Sequence, residues 1–493
     1  MDFNENFLKN RAKLLELGID PYPYSFEITH RIKDIILDEE QLKEKEISTA
    51  GRIISIREMG KACFATIEDF DSKIQIYIKK DTVGDKTWNV FKLLNPGDII
   101  GVSGQIFRTK TGELTVYIKI LTVLAKTVVE IPFGKSTDEK TYYKVKDIEI
   151  KYRERYIDWI TDKQSRDRFL LRSKIISEIR KIMGSRGFIE VETPILSPVY
   201  GGAEARPFET TVHMLSNQKV FLSISPELYL KRFIVGGFPK VYTICKNFRN
   251  EGLDRNHNPE FTMMEYYETY TDYIFQMKQF ETLIAELCNN LFGTTIVNYQ
   301  GTKLDFTPPW KRMTMIDAIE TISNVPVTKM SDPELEQFCK EHEIPIEGNF
   351  SRGIATAEIF DILCADKLIQ PVFIHDYPKE ISPLTKTKRG NSNLVERFEA
   401  FVLGMELGNA YSELTDPVEQ LERFTEQKEL QKKKNIDFVV YPLDTDFIKA
   451  IGCGMPPTGG VGIGIDRLVM ILTDSSSIRD IIAFPLLKQK EEE

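Results

Sequence analysis

The chain has 493 residues, of which 42% are hydrophobic and 28% charged, a composition typical of a globular protein with about two or three domains. Its net charge of −9 argues against a protein that coats nucleic acid over its whole surface, but it is compatible with a local face for one RNA. The sequence contains no apolar run of about 18 residues or more, so it does not predict a membrane-spanning helix. The six cysteines lie far apart, without a CxxC pair, which argues against a disulfide framework or a zinc site and favours a reducing, cytoplasmic location.

The first 150 residues divide into three segments by their pattern. Residues 1–46 are polar with leucines at helical spacing, which predicts an N-terminal helical extension. Residues 47–127 change to about five short alternating segments separated by turns, and this pattern predicts a closed β-barrel of the OB type. Residues 128–150 are charged and lack periodicity, so we expect a linker there.

The predicted barrel carries side chains that suit an unpaired nucleic-acid base. Phe64 lies on a strand, and Arg57, Gln75 and Glu113 are its polar neighbours in the pattern. An aromatic ring on a strand can stack on a base while polar groups hydrogen-bond to its edge. A single phenylalanine in a barrel is more often a core residue than a stacking platform, so the pattern alone leaves both roles open.

Residues 151–493 mix helices with strands rich in β-branched and aromatic residues. This alternation is typical of an α+β domain built on an antiparallel β-sheet with flanking helices. We expect a helical insertion in it at about 270–350.

The segment 240–268 predicts two strands joined by a polar loop. Because side chains alternate along a strand, Arg249 and Glu251 would share one face of the first strand. Phe261, Glu265 and Tyr267 would share one face of the second. Charged groups on a buried face need a partner, which indicates a binding site. An exposed hairpin with a solvated salt-bridge ladder is the alternative.

The segment 397–417 predicts a hairpin in which Glu399 and Glu406 flank a turn at Gly404. Two carboxylates beside a triphosphate would repel it unless Mg²⁺ lay between them. Asn409 and Glu413 are four residues apart, so they would share a strand face and could hold substrate. A solvated hairpin explains the two glutamates equally well.

The segment 457–473 predicts a glycine-rich strand followed by a helix. Gly460, Gly462 and Gly464 alternate and would leave one strand face open to a flat base. Arg467 falls in the first turn of the helix, where its charge and the helix N-terminus both favour phosphate.

These segments resemble, in the expected order, the signature motifs of class II aminoacyl-tRNA synthetases. GFIEVETPIL resembles the first motif, FRNEGLDRNHNPEF the second and GIGIDRLVM the third. HNPEFTMMEYY, SPELYLKR and YGGAEARPF are similar to the lysyl-tRNA synthetases of bacterial type, as are GRIISIREMGKACFATIEDF and FRTKTGELTVYI in the predicted barrel. The resemblance covers nearly the whole chain.

The resemblance implies ATP, L-lysine and tRNA(Lys) as substrates, Mg²⁺ as cofactor and a homodimer with Pro194 at its interface. It implies that Arg249 and Arg467 are catalytic. The implied lysine-binding residues are Gly202, Glu227, Glu265, Tyr267, Asn409 and Glu413. The implied ATP-binding residues are Arg249, Glu251, His257, Asn258, Phe261, Glu399 and Arg467. Glu399 and Glu406 are the implied metal ligands, and Arg57, Phe64, Gln75 and Glu113 the implied anticodon-binding residues.

Three alternatives remain beside a lysine–tRNA ligase. Aspartyl- or asparaginyl-tRNA synthetases share the layout, but carboxylates in an enclosed pocket require a cation, which favours lysine. A paralogue that attaches lysine derivatives to a translation factor lacks the barrel. A non-catalytic RNA-binding paralogue would have degenerate motifs, whereas Arg249, Glu399, Glu406 and Arg467 are all present.

Overall fold

The computed structural model describes residues 3–133, 135–137, 140–142, 148–346, 350–433 and 443–488. The chain divides into two compact units, Met1–Asp162 and Lys163–Glu493, which we call the barrel unit and the body. Residues 134, 138–139 and 143–147 of the expected linker lie outside the described residues, and the domain bounds derived from the sequence stay a prediction. None of the helices in the described ranges combines the length and the apolar character needed to cross a bilayer.

The barrel unit contains short helices around a set of long strands. Its helices are α1 (Glu5–Glu16), α2 (Ile32–Leu37), α3 (Glu39–Leu42), α4 (Lys80–Lys92), α5 (Ile148–Arg153) and α6 (Arg155–Thr161). Its strands are β1 (Ile47–Met59), β2 (Ala62–Glu68), β3 (Lys73–Lys79), β4 (Ile99–Arg108), β5 (Leu114–Ala125), β6 (Lys135–Thr137) and β7 (Lys140–Tyr142).

Strands β1 to β5 form the expected closed barrel, in the order β1-β2-β3-β5-β4. The alternating pattern fits a barrel, because every second side chain points into its interior. Ile74, Ile76 and Ile78 of β3 are buried in the core of this unit, and Gln75 and Tyr77 lie between them on the outer face. The extension before the barrel is helical only in α1, α2 and α3, and residues 17–31 between them form no regular helix.

The body contains helices packed on one large sheet. Its strands are β8 (Ile189–Glu190), β9 (Leu196–Ser197), β10 (Glu209–Val212), β11 (Gln218–Leu222), β12 (Lys240–Phe248), β13 (Glu260–Thr269), β14 (Ile296–Tyr299), β15 (Thr302–Asp305), β16 (Lys311–Thr314), β17 (Val372–Pro378), β18 (Thr387–Lys388), β19 (Asn391–Val402), β20 (Met405–Ser412) and β21 (Thr458–Gly464). Its α-helices are α7 (Lys163–Ser185), α8 (Glu227–Val235), α9 (Tyr273–Phe292), α10 (Met315–Ala318), α11 (Asp332–Glu341), α12 (Arg352–Leu363), α13 (Pro417–Lys433), α14 (Thr445–Gly452), α15 (Ile465–Leu472) and α16 (Ile478–Ile481).

The large sheet has the strand order β16-β17-β19-β20-β21-β13-β12-β8, with β18 paired to β19. From β17 to β12 each of the six strands is antiparallel to its neighbours in this series, whereas β16 and β8 pair in parallel at the two edges. This arrangement confirms the predicted α+β class. Met264 of β13, Phe398 of β19 and Val461 of β21 point into a core shared with Phe280 of α9. Their strand neighbours therefore face the opposite side.

The structure corrects three local expectations. Strand β12 ends at Phe248, so Arg249 and Glu251 lie in the following loop and do not share a strand face. The segment 270–350 contains strands β14, β15 and β16 as well as helices, and β16 joins the sheet because its buried Met313 pairs beside β17. Glu413 lies one residue beyond β20, where it forms an isolated bridge with Thr385.

Candidate active site

A cavity of about 490 Å³ opens on the sheet face away from the core of α9. Strands β13, β19, β20 and β21, the loop after β12 and the first turns of α8 and α15 form its wall. The cavity brings together most of the residues implied by the sequence: Gly202, Glu227, Arg249, Glu251, His257, Asn258, Phe261, Glu265, Tyr267, Glu399, Glu406, Asn409 and Arg467.

Glu265 is buried at one end of this cavity. Its carboxylate accepts hydrogen bonds from Ser225 Oγ at 2.8 Å and from the Tyr267 hydroxyl at 2.9 Å. Burial raises the pKa of Glu265 to about 8, and the nearby charge of Glu227 adds to the effect. The ionised form of such a buried carboxylate is strongly stabilised when a ligand supplies a cation.

Lys231, which the sequence did not single out, lies between two of the predicted glutamates. Its Nζ is 2.6 Å from Glu227 Oε1 and also contacts Glu413 Oε2, and its side chain has no exposed surface. Burial opposes the charge of Lys231, but the two carboxylates raise its pKa. Burial raises the pKa of Glu413 to about 8 although Lys231 lowers it, because one cation shared by two carboxylates leaves one of them under-neutralised.

A sequence signal for Lys231 did exist. Glu227 and Lys231 are one turn apart, a spacing that normally indicates an exposed helix pair. In α8 both belong to the buried stripe that also contains Leu228, Leu230 and Ile234. A charged pair inside an apolar stripe indicates a buried ion pair.

Glu413 is buried behind the cavity wall at Gly460. A Cβ built on Gly460 would lie 2.1 Å from Glu413 Oε1 and 2.4 Å from the Tyr267 ring, so only glycine fits there. Glu413 Oε1 has no hydrogen-bond partner among the described residues. Glu413 Oε1 thus lies on the side of β21 toward which a side chain at position 460 would project.

Gly202 has a φ of +88°, and a Cβ on it would lie 2.9 Å from Ser225 Oγ. A side chain there would both strain the backbone and displace the serine that donates to Glu265. Gly202 therefore acts on the same end of the cavity as Glu265.

The other end of the cavity is rich in cationic and aromatic groups. The Arg249 guanidinium lies 5.1 Å from the centre of the Phe261 ring. Arg467 donates to the Glu406 carbonyl at 2.6 Å and contacts His257 Nε2 at 3.0 Å. His257 Nδ1 lies 2.7 Å from Asp254 Oδ2. Two guanidinium groups at one end can neutralise phosphates. Each is planar and can donate two parallel hydrogen bonds to a phosphate, whereas an ammonium group acts as a point charge.

Glu399 and Glu406 lie on the two strands of the β19–β20 hairpin, and both line the cavity. Burial raises the pKa of Glu399 to about 7, and the charge of Glu406 adds to the effect. Among the described residues no group of three or more metal-ligating side chains occurs. Two carboxylates suit Mg²⁺, which commonly takes its remaining ligands from water and substrate phosphates.

Arg397, a second residue that the sequence did not single out, fixes this hairpin. It donates to Glu399 Oε1 at 2.6 Å and to Asn409 Oδ1 at 3.1 Å. Its guanidinium lies 4.6 Å from the centre of the Tyr377 ring. The cation stacks on the ring and orients a predicted metal ligand and a predicted lysine-binding residue together.

Asn258 and Glu251 occupy the loop between β12 and β13. Asn258 Nδ2 donates to the Glu260 carbonyl at 2.6 Å, and its Oδ1 is buried without a partner among the described residues. Glu251 is exposed at the cavity edge. The backbone N–H of Arg249 donates to the Pro259 carbonyl at 2.9 Å, which closes this loop.

The four predicted anticodon-binding residues lie together on the outer face of the barrel. Arg57 pairs with Phe64 across β1 and β2, and Gln75 Nε2 donates to Glu113 Oε2 at 2.9 Å. The Phe64 ring centre is 4.7 Å from that of Tyr77. Tyr77 also stacks on Tyr117 at 5.5 Å, and this extension of the aromatic surface was missed because isolated tyrosines on strands usually pack without a ligand.

Pro194 lies in the segment between β8 and β9, next to the half-exposed Ile195 and Leu196. Its predicted place in a dimer interface stays a prediction.

Comparison with known proteins gives consistent results for both units. The family described as tRNA synthetases class II (D, K and N) matches residues 147–488, and the family described as OB-fold nucleic acid binding domain matches residues 47–124. The lysine–tRNA ligase of Thermoanaerobacter sp. (strain X514) is 46% identical over 100% of this chain and 97% of its own length. The lysine–tRNA ligases of Carboxydothermus hydrogenoformans and Clostridium botulinum (strain Hall) are 44% and 46% identical, each over 98% of this chain, and over 97% and 96% of their own lengths.

Proposed function

Because the chain belongs to the class II tRNA synthetases (D, K and N), we propose that it is a lysine–tRNA ligase. It activates L-lysine with ATP to lysyl-adenylate and then transfers the lysyl group to tRNA(Lys). The observation that carries the choice of lysine is the end of the cavity where Glu227, Glu265 and Glu413 are buried around one internal cation, Lys231. Buried carboxylates in excess over cations select a cationic substrate.

In the first step, a carboxylate oxygen of lysine attacks the α-phosphorus of ATP, and pyrophosphate leaves. Arg249, whose charge also acts on Glu265, contacts the lysine carboxylate and the α-phosphate together. Its planar guanidinium suits this bridge, and the charge that develops on the phosphoryl oxygens is stabilised without a proton transfer. Phe261 stacks on adenine, Glu251 and Asn258 bind the nucleotide, and His257 and Arg467 bind the distal phosphates.

At the other end of the cavity, Glu265, Tyr267 and Glu413 bind the ε-ammonium of lysine. Glu227 and the backbone at Gly202 bind the α-ammonium, and Asn409 positions the substrate between the two groups. The absence of a side chain at Gly460 supports this assignment, because a Cβ there would lie 2.1 Å from Glu413 Oε1 and 2.4 Å from the Tyr267 ring.

Glu399 and Glu406 are the residues that would hold Mg²⁺. When bound, the ion neutralises the triphosphate beside the two carboxylates and orients it for attack. Arg397 orients Glu399 for this purpose through their 2.6 Å contact.

In the second step, a ribose hydroxyl at the tRNA terminus attacks the lysyl carbonyl, and AMP leaves. We place recognition of the anticodon on the barrel, where Phe64 stacks on a base and Arg57, Gln75 and Glu113 bind base edges. The partly exposed rings of Phe64 and Tyr77 and the Gln75–Glu113 hydrogen bond support this role. Further parts of the proposal are a cytoplasmic location and a homodimer with Pro194 in its interface.

Lysine-dependent exchange of pyrophosphate into ATP tests the proposal when it is measured with each standard amino acid and without tRNA. We expect exchange with lysine, its abolition by EDTA and its recovery with Mg²⁺. Aspartate or asparagine as the best substrate would instead identify one of the other members of the group. A folded protein without exchange for any amino acid would identify a non-catalytic RNA-binding protein.

A further inference from the structure

Lys231 takes no part in the steps derived above, yet it is fully buried beside the substrate end of the cavity. It connects Glu227, in the first turn of α8, with Glu413, beyond the end of β20. These two carboxylates come from segments far apart in the chain, and each is proposed to bind a different ammonium group of lysine. Lys231 therefore connects the two ammonium-binding positions through one buried contact with Glu227 and another with Glu413.

We propose that Lys231 is a positioning residue of the lysine site: its ammonium favours the ionised forms of Glu227 and Glu413 and fixes their oxygens where the two substrate ammonium groups bind. This inference rests on the proposed function, which supplies those two ammonium groups. It concerns how the site is kept ready and not which substrate it accepts.

The charge count of the site supports this role. Glu227, Glu265 and Glu413 would give three negative charges, and Lys231 reduces the total to two. Two ammonium groups of a bound lysine then complete the neutralisation, while its carboxylate is paired by Arg249. A buried site with balanced charge avoids the cost of an uncompensated ion.

A positive charge inside a cation-binding site has two opposite effects, and distance decides between them. Lys231 touches its two carboxylates directly, at 2.6 Å in the case of Glu227. A substrate ammonium would bind Glu413 through Oε1, which has no hydrogen bond among the described residues, and would therefore lie farther from Lys231 than Oε2, the oxygen that contacts Lys231. Because Coulomb energy falls with distance, stabilisation of the ionised carboxylates exceeds repulsion of the substrate.

Other charged and titratable groups surround Lys231 and its two carboxylates, and they contribute to any pH dependence of lysine binding. Phe447 of α14 covers the ammonium with its ring centre at 6.0 Å. Burial raises the pKa of Glu227, and the charges of Lys231 and Arg397 oppose that rise. Burial also keeps the hydroxyls of Tyr267 and Tyr411 protonated by raising their pKa values well above 10. The groups that face Glu227 and Glu413 from the packed strands are Glu265, Tyr267, Arg397 and Tyr411, and Cys245 lies near Glu265.

The test is Lys231→Met in the full-length protein, measured as lysine-dependent pyrophosphate exchange between pH 7 and 8.5. Without its cation, Glu413 holds its proton more tightly by at least about one pKa unit, so the KM for lysine at pH 7 rises at least about tenfold. The KM for ATP and the kcat at saturating lysine stay close to those of the wild type. The penalty on the KM for lysine shrinks as the pH rises, because the carboxylates ionise again.

The matched control is Lys240→Met, which breaks the 2.7 Å ion pair with the buried Glu268 but leaves the cavity wall unchanged. It is expected to lose stability without a change in the KM for lysine or in its pH dependence. Lys231→Arg keeps the charge and is expected to recover part of the loss.

A double variant keeps the test decisive if Lys231→Met does not fold. Lys231→Met/Glu413→Gln removes one charge of each sign, which buried sites tolerate better than the loss of one partner. If Lys231 acts through Glu413, this variant has a KM for lysine within about threefold of that of Glu413→Gln alone, since coupled residues are not additive. A lowered KM in Lys231→Met, or additive losses in the double variant, would overturn the inference. If the wild type shows no lysine-dependent exchange at all, the proposed function fails instead.

Discussion

The outer face of the barrel and the cavity of the body solve two recognition problems by opposite means. On the barrel, the rings of Phe64 and Tyr77 and the Gln75–Glu113 pair remain accessible to solvent. In the body, Glu265 and Lys231 are almost fully withdrawn from it. A base is bound by its large flat surface, which an exposed ring can cover without desolvating a charge. A small charged substrate is selected by buried charges, which are costly when unmatched.

The largest expected effect tests the buried side of this comparison. Glu265→Gln keeps the shape of the side chain but leaves a bound ε-ammonium under-neutralised, which costs about 3–5 kcal/mol, so lysine binding weakens by at least about two orders of magnitude. Calorimetric titration with lysine and with an uncharged isostere of lysine measures this loss of affinity. The isostere should lose far less than lysine, and ATP binding should change little.

Glu268→Gln is the matched control for that variant, because Glu268 lies on the same strand but pairs with Lys240 outside the cavity. Equal losses for lysine and its isostere in Glu265→Gln would mean that the carboxylate maintains the fold and does not distinguish charge.

Arg249→Lys tests whether charge alone is sufficient at the reacting end of the cavity. One ammonium cannot bridge a carboxylate and a phosphate in a fixed plane, so the loss of a preorganised donor should cost about 3 kcal/mol, or about a hundredfold in the exchange rate. Arg180→Lys, which alters an ion pair with Glu190 outside the cavity, should leave the rate unchanged. Near-normal exchange by Arg249→Lys would remove Arg249 from the reaction.

Phe64→Ala tests the exposed side of the comparison. Loss of one stacked base costs about 1–3 kcal/mol, so the KM for tRNA in the charging reaction should rise roughly five- to 150-fold. Exchange without tRNA should be unaffected. Tyr24→Ala, which removes a fully exposed ring from the same unit, is the control. Parallel loss of exchange and charging in Phe64→Ala would contradict the division of roles between the two units.

The pH dependence of lysine binding gives the smallest expected effect. Burial raises the pKa of Glu265 to about 8 in the free protein, and a bound ammonium favours the ionised form. The affinity from this group is thus fully present above pH 8 and is lost as the pH falls through it, by at most about tenfold per pH unit. Titration at pH 7 and 8 should show this change in the wild type and a smaller one in Glu265→Gln. Binding of an anticodon oligonucleotide, which depends on stacking, should not follow it.

Local patterns were sufficient for the barrel and for the strands that carry most of the predicted site residues, but not for strands β14, β15 and β16. The alternation in β13 correctly placed Phe261, Glu265 and Tyr267 on one face, because side-chain direction in a strand depends only on its period of two. The same rule failed at Arg249, because β12 ends one residue earlier and the chain turns there. Where an element ends depends on its neighbours as much as on its own residues.

The sequence by itself determined the two kinds of fold, their order and the chemical types present at each site, since periodicity and turn residues are local properties. Only the tertiary structure decided that Lys231 meets Glu413 across 182 positions of the chain, that Arg397 joins Glu399 to Asn409, and that Gly460 lies directly against Glu413 Oε1. Each of these contacts is made by a side chain whose partner comes from another element. Their ionisation states depend on burial, which exists only after the elements have packed.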